Sequence, residues 1–213
     1  ELLQPQMMTE NPLGDPEIGA LLLALEQRPP RLHEAGPLTK EASVALILRR
    51  APEDLEILLI QRPVSDSDPW SGHMALPGGR RQADEEALTT AVRETLEEVG
   101  IDLAADGVLL GRLDSLQPMR SGPRIAVAPF VFAVQPTVAA TPDPREVAKL
   151  LWVPVSHLAD PASAAEHLEV MEGGGHLRFP ALSYDGHIIW GLTHRMLQQF
   201  LEIIRSIRHG GAA

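Results

Sequence analysis

The sequence predicts a mixed α/β sandwich, in which a mixed β-sheet lies between helices. Runs of Val, Ile and Leu typical of strands occur before and after a central helix, and they do not alternate with helices as a repeated βαβ winding requires. The chain has 213 residues, of which 44% are hydrophobic, so it can bury one sizeable core. We expect an N-terminal arm and helix over residues 1–38 and one main domain over residues 39–213.

The first elements are an arm, a helix and two strands. Residues 1–14 contain two prolines and a glycine and are expected to form a loose arm. Apolar residues at helical spacing predict a helix over Asp15–Gln27, which a pair of prolines ends. Aliphatic runs predict strands at Ala42–Arg50 and Leu55–Gln61, with a turn at 51–54 between them.

In the middle of the chain, the sequence predicts a long loop followed by the central helix. Pro63–Arg81 is crowded with Pro, Gly, Ser and Asp, so we expect an irregular loop, a kind of segment that often carries function. A helix is predicted over Glu85–Val99, with Asp84 as its N-cap and Gly100 as its C-terminal stop. Its apolar stripe should face the sheet.

The rest of the chain predicts further strands and a long final helix. The predicted strands are Val108–Leu113, Ile125–Val134 and Leu150–Val153. The other predicted elements are a short helix near Val155–Leu158, a glycine-rich turn at Gly173–Gly175 and a helix over Trp190–Arg208.

Composition excludes several classes of function. The formal net charge is −11, from 29 acidic and 18 basic residues, which argues against nucleic acid bound on a broad basic surface. The chain has no cysteine, so disulfides, thiolate catalysis and cysteine-bound zinc are excluded, and a cytoplasmic location is expected. No apolar run approaches the roughly 20 residues of a membrane-spanning helix. A small anionic substrate would need local arginines or divalent cations to bind.

Three glutamates on the central helix carry the main functional signal. Glu94, Glu97 and Glu98 are spaced at i, i+3 and i+4, so they share one helix face next to Arg93. Carboxylates this close repel each other unless water solvates them, one keeps its proton, or a divalent cation draws them together. Mg²⁺ and Mn²⁺ are the natural candidates because they prefer oxygen ligands. A solvated acidic helix face is the alternative that spacing alone leaves open.

The surrounding residues resemble the Nudix box. Gly79 is followed after five residues by Glu85, and after seven more by the run from Arg93 to Ile101, with a glycine at position 100. The spacing agrees at every fixed position. Thr95 is the one departure, because the family usually has an aliphatic residue there, but a β-branched threonine can pack in its place.

The resemblance implies metal-dependent hydrolysis on a mixed sheet held between helices. Glu94, Glu97 and Glu98 match the family's metal ligands, and Arg93 matches an arginine that positions those carboxylates by ion pairing. Glu85 matches the first glutamate of the box, which supports the metal site. The implied cofactor is Mg²⁺ or Mn²⁺, which would align a water for attack on phosphorus.

The resemblance also assigns backbone and base roles. Gly78 matches a residue whose carbonyl often reaches the metal, and Gly79 is assigned to substrate binding because glycine lets the backbone approach a phosphate closely. Glu97 or Glu98 can act as the proton acceptor within the box. Glu146 occupies a place from which relatives often present an acidic residue, although an exposed loop glutamate explains it equally well.

Segments outside the box resemble the coenzyme A diphosphatase branch of the family. These are Leu58–Arg62 and Gly72–Gly79 before the box, and Gly186–Thr193 near the end of the chain. Two positions depart from that branch: it usually has arginine at the position of Asp68 and phenylalanine at that of Leu76. The exchange of arginine for aspartate reverses a charge near the expected phosphates.

Two residues outside the box are candidates for substrate binding. Arg62 follows a strand and can bind a phosphate or form a surface ion pair. Trp70 can stack on a base or pack beneath its own loop. Trp190 and Ile189 are predicted to be core residues that dock the last helix, and His73 is interpreted as an ordinary polar residue.

The favoured function is hydrolysis of a diphosphate bond in a nucleoside diphosphate linked to another group, with coenzyme A or an acyl-CoA as substrate. ADP-ribose and nucleoside triphosphates are the alternative substrates. A non-catalytic nucleotide-binding module is the alternative of a different class. The partner is a small nucleotide diphosphate, with no nucleic acid and no membrane. The first helix either covers the sheet or mediates a homodimer.

Overall fold

The computed structural model describes residues 11–32, 39–65, 70–118, 125–170 and 175–210. Asp68 and most of the predicted arm lie outside these residues. The predicted turn at Gly173–Gly175 is described only at its last residue.

A mixed sheet of seven strands forms the centre of the fold. Its strands are β1 (Lys40–Arg50), β2 (Leu55–Gln61), β3 (Met74–Ala75), β4 (Gly78–Arg80), β5 (Gly107–Arg112), β6 (Ile125–Val134) and β7 (Lys149–Pro154). The strand order is β3-β2-β1-β6-β5, with β4 paired to β1 and β7 paired to β2. β1 and β6 are parallel and the other pairs are antiparallel, which confirms the predicted mixed sheet.

The five α-helices of the described residues lie around this sheet. They are α1 (Pro16–Glu26), α2 (Ala87–Val99), α3 (Leu103–Asp106), α4 (Val155–Ala159) and α5 (Gly191–Gly210). In the part of the chain that the structure describes, no helix is both long enough and apolar enough to cross a membrane.

Side chains of β1 alternate between two cores, one on each face of the sheet. Leu46 and Leu48 belong to a cluster that contains buried residues of α1 and α5. Ala45 and Ile47 belong to a second cluster, which contains buried residues of α2. This alternation is the period of two expected of a strand covered on both faces. Helices therefore pack on both sides of the sheet, as predicted.

The first helix covers the sheet, which is one of the two roles that the sequence left open. Ile18, Leu21 and Leu25 are buried in the same core as α5. Asp15 caps the helix by accepting from two backbone N–H groups, and Arg50 of β1 donates to the Asp15 carboxylate at 2.6 Å. This guanidinium lowers the pKa of Asp15.

A second sheet of three antiparallel strands was not predicted. It consists of β8 (Ala164–Val170), β9 (His176–Tyr184) and β10 (His187–Trp190), in the order β10-β9-β8. Asp185 and Gly186 form the turn between β9 and β10 and have φ values of 48° and 76°. An Asp-Gly pair with positive φ at both residues is typical of a tight hairpin, so this dipeptide was the signal that could have revealed the sheet.

Two predicted helix starts are wrong. The central helix begins at Ala87 with Glu86 as its N-cap, and Asp84 has a φ of 60° instead of capping it. The carboxylate of Glu85 accepts from the N–H of Gln82 just before the helix, so Glu85 stabilises this turn. The last helix begins at Gly191, because Trp190 is still paired with Ala181 in β10.

Candidate active site

Glu98 lies at the inner end of the site and is almost completely buried. Its residue exposure is 2%, and its Oε2 accepts a hydrogen bond of 2.8 Å from the N–H of Gly78. The pKa of Glu98 is raised to about 8, mainly by burial and also by nearby Glu94 and Glu146, against the effects of the Gly78 N–H and Arg62. The site therefore holds a carboxyl group that loses its proton readily only when a positive charge is near.

Two glycines of β4 bring the backbone against these carboxylates. Gly78 has a φ of 148°, and a Cβ built there would collide with the backbone of Ser43 and Val44 in β1. A Cβ on Gly79 would collide with the carboxylate of Glu94. Because β4 pairs with β1, the position of both glycines is fixed by the sheet.

Arg93 connects four groups around the site. Its Nε and Nη2 donate to the two carboxylate oxygens of Glu85 at 2.8 and 3.1 Å. Its Nη1 lies 2.9 Å from carboxylate oxygens of both Glu94 and Glu97, and Nη2 also donates to the carbonyl of Arg80 at 3.3 Å. The guanidinium thus fixes the carboxylates of the helix relative to β4, as the family resemblance implies.

Glu85 anchors this network from the start of the helix. The hydrogen bonds from Arg93 lower its pKa to about 2, so it is ionised at neutral pH. The buried hydroxyl of Thr90 donates to the same carboxylate at 2.8 Å. Glu85 is therefore well placed to hold Arg93 in position.

Glu146 joins Glu94 and Glu98 from a loop outside the helix. One carboxylate oxygen from each of these residues lies within 4.8 Å of the other two, and we call the three the carboxylate cluster. The loop is tied to the end of α2, because Thr141 donates its N–H to the carbonyl of Val99 and Asp143 donates to that of Glu98. These bonds to the helix terminus explain why residue 146 lies near the site.

The carboxylate cluster differs from the set expected from helix spacing. Glu97 is not among its members; its side chain is 49% exposed and lies beside Arg93. Glu94 is half-buried, and burial raises its pKa against the opposing effect of Arg93. Three carboxylates converge here, and one of them is buried. They form a set of oxygen ligands that fits a hard divalent cation.

A cavity of about 620 Å³ opens onto the carboxylate cluster. Its volume lies within the range of about 300–1,000 Å³ usual for small-molecule sites. Arg62, Trp70, Gly78 and Gly79 line it together with the cluster, so the structure brings these candidates to one place. Trp70 also packs against the main core.

The same cavity is also lined by rings that sequence reasoning did not assign to the site. Trp190, Phe179 and His73 line the cavity. His167 stacks on Trp190 with centroids 3.7 Å apart and planes at 16°, and its Nε2 lies 3.0 Å from Oε2 of Glu169. We call Trp190, Phe179, His73 and His167 the aromatic wall.

The aromatic wall corrects one interpretation of the sequence. Trp190 was predicted to be a core residue, but it is only partly buried and lines the cavity; Ile189 beside it is fully buried, as predicted. The alternation of a strand explains the difference, because neighbouring residues of β10 face opposite sides. His73, which was interpreted as an ordinary polar residue or a local loop partner, lies 4.8 Å from Trp190 between ring centroids.

The chain resembles known proteins along most of its length. A family model described as the NUDIX domain matches residues 39–173. A protein of Photorhabdus laumondii named as a Nudix hydrolase, NudL, is 31% identical over 180 residues, covering 84% of this chain and 92% of that protein. A protein of Schizosaccharomyces pombe is 41% identical over 110 residues, which are 49% of this chain and only 33% of that protein.

The fold also resembles solved structures. A MutT/nudix family protein from Enterococcus faecalis superposes with a TM-score of 0.52 at 17% identity, covering 90% of this chain and 71% of that one. At this identity the likeness concerns the fold, and it agrees with the mixed sheet between helices described above.

Proposed function

The chain belongs to the Nudix family, and on that premise we propose that it uses Mg²⁺ or Mn²⁺ to hydrolyse the diphosphate bond of a nucleoside diphosphate linked to a second group. Coenzyme A and its acyl thioesters are the substrates we favour. The observation that carries the proposal is the carboxylate cluster, whose members Glu94, Glu98 and Glu146 converge at the edge of a substrate-sized cavity.

The proposed cation ligands are the three members of the carboxylate cluster, with the carbonyl of Gly78 as a further candidate. A bound divalent cation supplies charge neutralisation of the diphosphate oxygens and lowers the pKa of a bound water. The N–H of Gly78 holds Glu98 in place, and Arg93 holds Glu94 and Glu97. These contacts keep the carboxylates oriented before substrate enters, which is the main contribution of the protein to such a site.

The proton of the attacking water needs a carboxylate acceptor. Glu146 is exposed and belongs to the cluster, which favours it. Glu97 remains the competing candidate from the Nudix box, and its carboxylate is already paired with Nη1 of Arg93 at 2.9 Å. Glu98 accepts from Gly78 and lies deepest, so we assign it to cation binding.

Several residues support coenzyme A as the substrate. Arg62 lines the cavity together with the cluster, and its guanidinium is proposed to bind a diphosphate oxygen. Trp70 and Gly79 line the same space and are proposed to contact substrate. Leu76, where the coenzyme A branch has phenylalanine, is 2% exposed and apolar, so the exchange preserves the character of the cavity wall.

The test of this proposal is an assay of the purified protein with Mg²⁺ or Mn²⁺ against coenzyme A, ADP-ribose, a dinucleoside polyphosphate and dNTPs. We expect coenzyme A to be cleaved with the highest kcat/KM, and phosphate-containing products to identify the broken bond. Cleavage of ADP-ribose or a dNTP without cleavage of coenzyme A would discard the favoured substrate but retain the diphosphatase.

A non-catalytic nucleotide-binding module is the second class that the same assay separates. All seven fixed polar and glycine positions of the box are present, which favours an enzyme. Binding of nucleotide by calorimetry without turnover under any divalent cation would establish the module instead.

A further inference from the structure

The aromatic wall and the carboxylate cluster are separate surfaces of one cavity. Phe179 and Trp190 lie on the three-stranded sheet, whereas Glu94 and Glu98 lie on α2. A diphosphate bound at the cluster carries one group on each side. Because both surfaces line one cavity, one of these groups can contact the wall while the diphosphate lies at the cluster.

The charge of Glu169 determines which half of the substrate the aromatic wall can bind. Glu169 lines the cavity, and its carboxylate pairs with His167 behind Trp190. A carboxylate disfavours a phosphate group nearby. The nucleoside half of coenzyme A carries an additional 3′-phosphate, whereas its pantetheine half carries no charge. Arg62 and Arg80 line the cavity and offer the charge that a phosphate needs.

We infer that the aromatic wall binds the uncharged half of the substrate and that Trp190 is the residue that determines this specificity; the inference rests on the proposed function. Apolar rings contribute most where they are packed by neighbours that restrict them. Trp190 meets this condition, because Phe179 lies 5.6 Å and His73 lies 4.8 Å from it between ring centroids.

His167 is the positioning residue of the wall. Its ring is stacked against Trp190, and Glu169 holds its Nε2. It therefore acts on the substrate through the orientation of Trp190.

The decisive experiment compares two ligands that share ADP. Dephospho-coenzyme A carries ADP plus the pantetheine half, whereas ADP itself, used as a competitive inhibitor, lacks that half. For Trp190→Ala we expect KM for dephospho-coenzyme A to rise at least about tenfold, as for the truncation of an aromatic anchor. The Ki of ADP and the kcat should change little. For Trp190→Phe, which keeps a ring, the KM for dephospho-coenzyme A should lie between those of the wild-type protein and Trp190→Ala.

The role of His167 is tested by two substitutions and a control on the same strand. His167→Phe keeps a ring against Trp190 and should retain most of the affinity for dephospho-coenzyme A. His167→Ala should raise KM without changing kcat. Leu168→Ala is the matched control, because Leu168 is 53% exposed and its neighbours in β8 face the other side; it should leave KM unchanged.

Two outcomes would overturn the inference. An equal rise in the KM of dephospho-coenzyme A and the Ki of ADP would place the shared adenosine half at the wall. An unchanged KM in folded Trp190→Ala, with folding checked by its Tm, would make the wall structural. Failure of the wild-type protein to cleave any diphosphate substrate is a different result, because it would refute the proposed function itself.

Discussion

The carboxylate cluster and the aromatic wall are built from different interactions. At the carboxylate cluster, charged groups are fixed by the Gly78 N–H and by the guanidinium of Arg93, with distances near 2.9 Å. At the aromatic wall, rings hold one another by stacking and edge contacts. Directional charged contacts fix atoms where a reaction requires it, whereas ring packing mainly provides shape and apolar surface. Changes in the carboxylate cluster should therefore affect catalysis, and changes in the aromatic wall should affect selection of the substrate.

The largest expected effect follows from Glu98→Gln. The amide keeps an oxygen for the Gly78 N–H, so the fold should persist, but the negative charge of the innermost cluster member is lost. Hydrolysis should fall by at least on the order of a hundredfold, since losing even an outer partner of a metal ligand costs about 10- to 100-fold. Glu202→Gln removes an exposed charge from α5 and should change nothing. Retained divalent binding in calorimetry by Glu98→Gln would contradict the assignment.

Arg93→Lys should have the next largest effect. One ammonium group cannot hold both oxygens of Glu85 and also reach Glu94 and Glu97. We expect kcat to fall about 10- to 100-fold, the loss usual for groups that orient metal ligands. The matched control is Arg205→Lys, an exposed position on α5. Full activity in Arg93→Lys would show that a single positive charge suffices at this position.

Glu146→Gln and Glu97→Gln test which glutamates of the site bind the cation. Because Glu146 lies within it and Glu97 outside, Glu146→Gln should weaken Mn²⁺ affinity about tenfold or more, and Glu97→Gln should weaken it less. Titration calorimetry of the two variants measures the difference directly. The reverse order would restore the ligand set predicted from helix spacing, Glu94, Glu97 and Glu98.

The smallest effect concerns stability as a function of pH without divalent cations. The pKa of Glu98 is raised from 4.5 to about 8 in the folded protein, so the folded state holds a proton that the unfolded state has lost. The contribution of Glu98 to stability should therefore decrease as pH rises from 4.5 towards 8. Mg²⁺ or Mn²⁺ should remove this loss, because the cation compensates the charge.

Thermal unfolding at a series of pH values tests this expectation. The Tm of the wild-type protein minus that of Glu98→Gln isolates the effect of this carboxyl group. The subtraction matters because burial lowers the pKa of His194, which makes stability rise with pH in part of the same range. A difference that grows in favour of the wild type with rising pH would show that Glu98 is ionised and stabilised in the metal-free protein.

The carboxylate cluster could be approached from the sequence because two of its residues are close together in the chain. Helix spacing alone placed Glu94 and Glu98 on one face, and both belong to the cluster. Spacing could not exclude Glu97, whose direction depends on the ion pair with Arg93. It could only suggest Glu146, because that residue reaches the site through hydrogen bonds between the loop and the end of α2.

The aromatic wall was not predicted because its residues are far apart in the chain. His73, His167, Phe179 and Trp190 meet only when the three-stranded sheet packs over the cavity. The strand β8 alternates exposed and half-buried residues that include Glu and His, so its pattern is weak as a sequence signal. The central strands, in contrast, are buried on both faces and rich in Leu, Ile and Val, which is why they were found.

Thr95 shows how a departure from a family pattern can be harmless. Its side chain is fully buried, and its hydroxyl donates to the carbonyl of Ala91 at 2.7 Å. The polar atom is thus satisfied within the helix, and the methyl group packs where other members have an aliphatic side chain.

The adjacent glycines of β4 limit how this enzyme can evolve. Any heavier residue at position 78 would meet the backbone of β1, and any at position 79 would meet Glu94. What must be conserved at these two positions is the absence of a side chain. Descendants of this protein can change the rings of β8 to β10 and acquire new substrates, but they can keep the reaction only if both positions remain glycine.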